Sequence, residues 1–250
     1  MARMRDTLLL TALLGFLVLS FVVGHAVIPP RANAQSPTTK VSYAPITSGD
    51  YRIDPAHTTI GFSIRHVEIN WVRGRFKDFV GSIHYDEADV TKSSVEFTAK
   101  VESIDTGVEA RDRDLRSPNF FEVAKYPEMT FKSTSAERKG KDSYILHGDF
   151  TLKGVTKQIA LPFTITGAIK DPRGNTRIGI SAQTKIDRRD YGITWGHTLA
   201  AGGFDVGNEV TIELNLEAVK PAPKWSLQTR QECGRDVRAP SERFCRCGSS

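Results

Sequence analysis

The densest grouping of side chains able to handle charge or protons in this 250-residue sequence is VEARDRDLRSPNFFEVAKYP, residues 108–127. Two acids, Asp112 and Asp114, alternate there with Arg111, Arg113 and Arg116. Such a set could serve acid–base chemistry, hold a polar head group, or simply solvate a connection. Glu109 and Arg113 are four apart, as are Asp112 and Arg116, and in each pair the acid comes first. That order supports a helical turn. Ser117-Pro118 ends it, and Pro118 suits the first turn of a second helical segment through PNFFEVAK. Surface ion pairs at one end of a sheet account for every one of these charges, so catalysis by Asp112 or Asp114 has no independent support.

Other chemistry is sparse. His57 and His66 are nine residues apart, which is not a usual metal-ligand spacing, and His84, His147 and His197 lack an acidic or Cys partner at motif spacing. There is no G-x-S-x-G elbow, P-loop, G-x-G-x-x-G or H-E-x-x-H. Ala200, Ala201, Gly202, Gly203 and Phe204 do not open onto a helical pattern, which argues against a phosphate loop. Cys233, Cys245 and Cys247 all fall at the C-terminal end, so thiol catalysis in the body of the chain is excluded. No catalytic residue, cofactor or metal site is expected.

The elements that must position these residues are strands. In TIGFSIRH, Ile60, Phe62 and Ile64 share one face. In SSVEFTAKVES the face is Val95, Phe97, Ala99 and Val101; in PEMTFKS it is Met129 and Phe131. GVTKQIALPFTIT presents Ile159, Leu161, Phe163 and Ile165, RIGISAQTKID presents Ile178, Ile180, Ala182 and Ile186, and EVTIELNLEAV presents Val210, Ile212, Leu214 and Leu216. Alternation with polar residues gives each strand one buried and one wet face. Buried parallel strands would instead read as continuous apolar runs, so the strands are antiparallel. With RGRFKDFVGSIHYD and SYILHGDFTLKG there are about eight. Periodicity leaves a sandwich and a closed barrel equally open.

The ends differ from this body. Residues 1–34 combine Arg3 and Arg5, an apolar run from Leu8 to Val23 and a small-residue site at Ala32-Asn33-Ala34, the pattern of a cleaved signal peptide; continuation of the apolar run to Ile28 would also suit an uncleaved N-terminal anchor. Residues 35–49 read as a linker, and residues 221–250 as a disordered basic tail carrying the cysteines. The net charge of +5 resides in the ends: residues 35–220 hold 25 basic and 25 acidic side chains. A neutral domain has no electrostatic footprint for nucleic acid. The chain is expected to be periplasmic or secreted, or else held at a membrane by its N-terminus.

Five segments resemble the YceI-like lipid- or polyisoprenoid-binding domain: YRIDPAHTTIGFSIRHV, VRGRFKDFVGSI, SSVEFTAKVESIDTGVEARDRDLRSPNFFEVAKYPEMTFKST, GDFTLKGVTKQIALPF and IDRRDYGITW. They follow in family order over residues 51–219. The resemblance implies an all-β fold, a lipocalin-like extended eight-stranded antiparallel β-barrel with a short helical insertion, spanning residues 50–220. It also implies a long isoprenoid chain enclosed inside, which favours the barrel over the sandwich. The lining would come from Phe62, Ile64, Phe97, Val101, Phe131, Phe163, Ile165, Ile180, Ile212 and Leu214, set against the alternative that several only pack the wall. The helical segment would cross a barrel mouth, with Phe120 and Phe121 inward and Arg111, Arg113 or Arg116 near a head group. The family commonly has His where this chain has Asp114; if that His contacts the head group, an acid there would disfavour an anionic phosphate and favour a neutral head such as a quinone, the alternative being that the position is merely surface.

The expected function is an exported, non-enzymatic carrier of a long-chain isoprenoid or similar lipid, with no nucleic-acid partner; the reading admits membrane proximity and a homodimer. Two rivals stand beside it. One is a lipid-modifying enzyme using His66 or Asp112, which a carboxylate and a His converging inside the barrel would favour. The other is a ligand-free stress or interaction module, which a filled interior would favour.

Overall fold

The computed structural model describes residues 41–223. The expectations for the leader, for most of the linker, and for the tail from residue 224 with its cysteines lie outside the described residues.

Eleven strand segments make eight staves. The first stave is β1 (Gly49–Ile53) with β2 (Thr59–His66), bent at a 3-10 turn over Pro55–His57 that the Asp54 carboxylate caps through the Ala56 N–H. β3 (Asn70–Phe76) with β4 (Phe79–Tyr85), and β5 (Ser94–Lys100) with β6 (Ile104–Asp105), form the next two in the same bent manner. β7 (Glu128–Arg138), β8 (Ser143–Leu152), β9 (Val155–Lys170), β10 (Thr176–Asp187) and β11 (Val206–Lys220) complete the set. Each stave pairs antiparallel with the next, and β11 returns to pair with both β1 and β2, so the sheet closes. Short hairpins make this economical: Lys153 and Gly154 join β8 to β9 with φ of 49° and 73°, the geometry a two-residue turn between twisted strands requires.

The inward faces are those read from the alternation. On β11, Val210, Ile212, Leu214 and Leu216 point in; opposite them stand Ile64, Phe62 and Ile60 of β2 on one side and Ile186, Thr184, Ala182 and Ile180 of β10 on the other. Yet many of these large apolar side chains are only half-buried, among them Phe62, Phe97, Leu161, Phe163, Ile212 and Leu214, whereas Thr211 and Ser63, which alternate with them, are buried. Side chains that faced each other across a packed core would be sealed. These face open volume.

The two ends are built differently. At one end Tyr51, Ile83, Tyr85, Ala168, Ile178 and Ala218 pack into a cluster of their own that fills the barrel, with the Tyr51 hydroxyl donating to the Thr47 carbonyl at 2.8 Å. At the other end lies the insertion between β6 and β7, where α1 (Glu109–Arg116) forms as the charge spacing predicts. The second helix expected through residues 118–125 does not form. Pro118 has no N–H to give, Glu122 takes a left-handed φ of 52°, and the amides of Phe121 and Val123 turn back to the carbonyls of Leu115 and Arg116. The segment therefore wraps the end of α1 as hydrogen-bonded turns, which carries Phe120 into the core and Phe121 against it.

One seam in the wall is loose. β9 pairs with β10 only as far as Phe163 opposite Ala182. The next residue along β9 is Pro162, which cannot donate to a neighbouring strand. Beyond it Thr184 bridges the gap with its side chain, its hydroxyl donating to the Ala160 carbonyl at 3.0 Å.

Candidate functional site

Between the filled end and α1 lies a cavity of about 670 Å³. Its wall is contributed by every stave and is dominated by aromatic and branched aliphatic side chains. Edge-on and tilted ring contacts hold part of it in shape: Phe62 to Phe76 at 5.8 Å, Phe76 to Phe121 at 6.1 Å and Phe120 to Trp195 at 5.1 Å between centroids. Gly74 makes the first of these contacts fit, because a Cβ at that position would run into the Phe62 ring.

Of the residues expected to line the interior, Phe62, Ile64, Phe97, Phe120, Phe121, Phe131, Phe163, Ile180, Ile212 and Leu214 all border this cavity, as does Arg111. Three do not. Val101 keeps the inward parity of β5 but sits in the 3-10 turn Val101–Ser103, where the chain bends away, and is buried behind the wall. Ile165 lies beside the register shift between Gly179 and Ile180 and is half-buried outside the cavity. Arg116 turns back along its own chain: its Nε donates to the Glu102 carbonyl and its Nη2 to the Ile104 carbonyl, with Glu109 as its ion-pair partner at 3.7 Å. These hydrogen bonds tie α1 down, and Arg116 does not border the cavity.

The polar side chains on the cavity wall are Arg65, His66, Thr106, Arg111, Asp114, Thr184 and Arg188, from the end of the barrel nearest α1. Arg111 is held by a relay. The buried Asp112 carboxylate accepts from both the backbone N–H and the hydroxyl of Thr106, at 3.0 and 2.5 Å. With its proton so committed, the Thr106 hydroxyl accepts from Arg111 Nε at 2.8 Å, while Arg111 Nη2 donates to the Thr106 carbonyl at 2.9 Å. Asp112 therefore does not pair with Arg116 as its spacing suggests; it orients the guanidinium that faces the cavity. A guanidinium has five N–H groups; Arg111 commits two of them here, and no carboxylate lies within ion-pair distance among the described residues. Asp114 also borders the opening, accepting from Ser117 Oγ at 3.3 Å and Asn119 Nδ2 at 3.2 Å.

Arg188 escaped the sequence reading. It is buried, and its guanidinium donates to the carbonyls of Gly207, Ile193 and Val206 and to Asn208 Oδ1. Burial pulls its pKa below the usual guanidinium value. The signal was present: continuing the inward alternation of β10 from Ile186 by two reaches 188. Its neutral acceptors mark it as the pin that fastens residues 193–208 over the barrel end. His66 also borders the cavity, with no hydrogen bond to a carboxylate among the described residues. His57, His84, His147 and His197 bond to Asp54, Asp50, Glu137 and Asp205.

The grouping whose spacing would suit a cation, Asp54, His57 and Glu217, lies outside the cavity wall. Arg177 already neutralises it, contacting Asp54 at 3.0 Å, Asp171 at 3.1 Å and Glu217. The His57 hydrogen bond, foremost, holds Asp54 below its ordinary pKa. This network clamps the bend between β1 and β2 to β10 and β11.

Comparison with known proteins bears on the same residues. The YceI-like domain model matches residues 51–218. Protein YceI of Salmonella newport is 39% identical over 178 residues, covering 69% of this chain and 88% of its own. Among solved structures, the YCEI protein of Campylobacter jejuni superposes with a TM-score of 0.55 at 30% identity, covering 73% of this chain and 100% of that one. A polyisoprenoid binding domain from Saccharophagus degradans, implicated in plant cell wall breakdown, gives a TM-score of 0.51 at 18% identity over 68% of this chain and 98% of its own, a likeness of fold. With that match over residues 51–218 and that identity, the chain belongs to the YceI-like domain family.

Proposed function

We propose that this protein is a non-enzymatic carrier that sequesters a long-chain isoprenoid lipid, with a neutral, quinone-like head, outside the cytoplasm. The observation that carries the reading is the cavity itself. It is filled at one end by the Tyr51 cluster, walled by apolar side chains along its length, and polar only near α1. Each buried methylene contributes about 0.8 kcal/mol, so a long chain binds there with few directional contacts. The same continuous volume counts against a module with a filled core. The polyisoprenoid binding domain of Saccharophagus degradans, which shares the fold, supports the ligand class. At the opening, Arg111 offers uncommitted N–H donors beside the Asp114 carboxylate. Those donors suit a head group that accepts hydrogen bonds, such as a quinone carbonyl; the neutral-head reading rests on Asp114, set against the guanidinium groups of Arg65 and Arg188 on the same wall. The signal pattern of residues 1–34 supports the location.

Native mass spectrometry of the gently purified full chain, beside an organic extract of the same sample, tests the reading. A stoichiometric isoprenoid with a neutral head is expected. A clean apo mass with no uptake of added polyprenol or quinone would overturn it.

A further inference from the structure

The rim of the cavity displays apolar side chains that the fold does not need there. Ile69 is 82% exposed, Val108 48%, Trp71 40% and Phe204 38%. They come from three separate stretches, the β2–β3 turn with the start of β3, the residue before α1, and the loop before β11; Val108 itself borders the cavity, and the others adjoin residues that do. Ile69 and Trp71 follow His66 and precede Val72; Val108 lies between Thr106 and Ala110; Phe204 is two residues before Val206. The β2–β3 turn is also costly. Val67 and Glu68 carry φ of 44° and 61°, where Asn-Gly is the usual pair and a β-branched residue is strained. The turn is held by Ile69 N–H donating to His66 O at 3.2 Å, by Val67 N–H donating to Asp205 O at 2.8 Å, by Phe204 N–H donating to Glu68 Oε1 at 3.0 Å and by Arg65 Nη2 donating to Glu68 O at 2.8 Å. These bonds join the Ile69 turn to the Phe204 loop, so the strained turn presents its apolar tip from a fixed platform.

The charges around this collar are unequally engaged. Glu68 and Asp205 accept from backbone amides, Glu109 pairs with Arg116, and Asp114 accepts from Ser117 Oγ and Asn119 Nδ2 without a cationic partner within ion-pair distance among the described residues. Arg65 lies over the Trp71 ring at 5.0 Å, and neither it nor Arg73, Arg111 or Arg113 has a carboxylate within ion-pair distance among the described residues. Exposed aliphatic and aromatic tips interleaved with unpaired guanidinium groups match a surface that is apolar beneath and anionic above.

We infer that the collar of Ile69, Trp71, Val108 and Phe204, with its unpaired arginines, docks the barrel mouth onto an anionic phospholipid bilayer. This rests on the carrier reading. A chain passing from bilayer to cavity through water would expose its methylenes on the way, and seating the mouth in the interface removes that barrier.

The test is flotation of the exported protein, its mass first showing that residues 1–34 have been removed, with phosphatidylcholine vesicles with and without about one third phosphatidylglycerol. The wild type is expected to float with the anionic vesicles and less with the neutral ones. The variant Ile69→Ser/Trp71→Ser/Phe204→Ser is expected to float at least about tenfold less, because three apolar tips no longer enter the interface. Failure of the wild type to float, or equal flotation of both chains, would overturn the inference. Both proteins are also loaded with a polyprenyl lipid from detergent. Normal loading of a variant that does not float supports the collar independently of the cavity. Flotation of the wild type without loading would leave the collar in place and remove the carrier reading.

Discussion

Replacing Ala182 with Phe would occupy the cavity from within its own wall. Ala182 points inward on β10, opposite Phe163 of β9 and Leu214 of β11, and all three border the cavity. The new ring takes up roughly the room of one isoprene unit, about five carbons, which at about 0.8 kcal/mol each is about 4 kcal/mol or near a thousandfold in affinity. A lipid that slides toward the mouth to avoid the ring exposes a comparable length there, so sliding does not recover the loss. Stability should move the other way, since a ring entering open volume gains contacts without displacing neighbours. The assay is titration with a fluorescent polyprenyl probe beside thermal unfolding, with Gln183→Phe on the exposed outer face as the control. Affinity for the probe should fall by at least about a hundredfold while Tm holds or rises. Unchanged affinity together with a destabilisation of about 1–3 kcal/mol, the usual result of overpacking a filled core, would refute the claim that this interior is open and receives the chain.

Arg188→Met should cost about 3 kcal/mol or more and lower Tm by roughly 6–12 °C, because the carbonyls of Ile193, Val206 and Gly207 lose their donor; a shift under about 2 °C would show that the guanidinium does not pin the barrel end. Arg111→Ala should weaken binding of a quinone-headed lipid by about tenfold to a hundredfold while leaving a head-less hydrocarbon analogue unchanged, and equal losses for both ligands would place Arg111 outside head-group contact. Asp171 is held at a pKa of about 2, first by the Asn175 side-chain amide and then by Arg177. Its folded pKa lies below the ordinary 3.8, so its contribution is complete above pH 3.8 and is lost as pH falls toward 2. Thermal unfolding across that window should show a decline that Asp171→Asn flattens; parallel curves for the two proteins would assign the acid lability elsewhere.

The period-2 pattern determined the antiparallel strands and which side chains face inward, because alternation is a property of the extended backbone itself and holds whatever the strands later pair with. Spacing of acid and base likewise determined α1, a local hydrogen-bonded object. Barrel over sandwich came from resemblance, not from periodicity. Only the tertiary structure decided that the inward faces look onto open volume. That depends on how far apart closure holds opposite walls, a sum over every long-range pairing from β1 to β11, and no single strand encodes it. The same distinction explains the misplaced residues. Val101 and Ile165 have the parity of lining residues, but a 3-10 turn and a register shift, each local to one stave, take them off the wall. Arg116 and Asp112 carry an ideal pairing interval, yet carbonyls of residues 102 and 104 and the hydroxyl of Thr106 offered better-placed partners. Hydrogen bonds between segments are settled by where the folded chain places its acceptors, and that placement exists only once the barrel has closed.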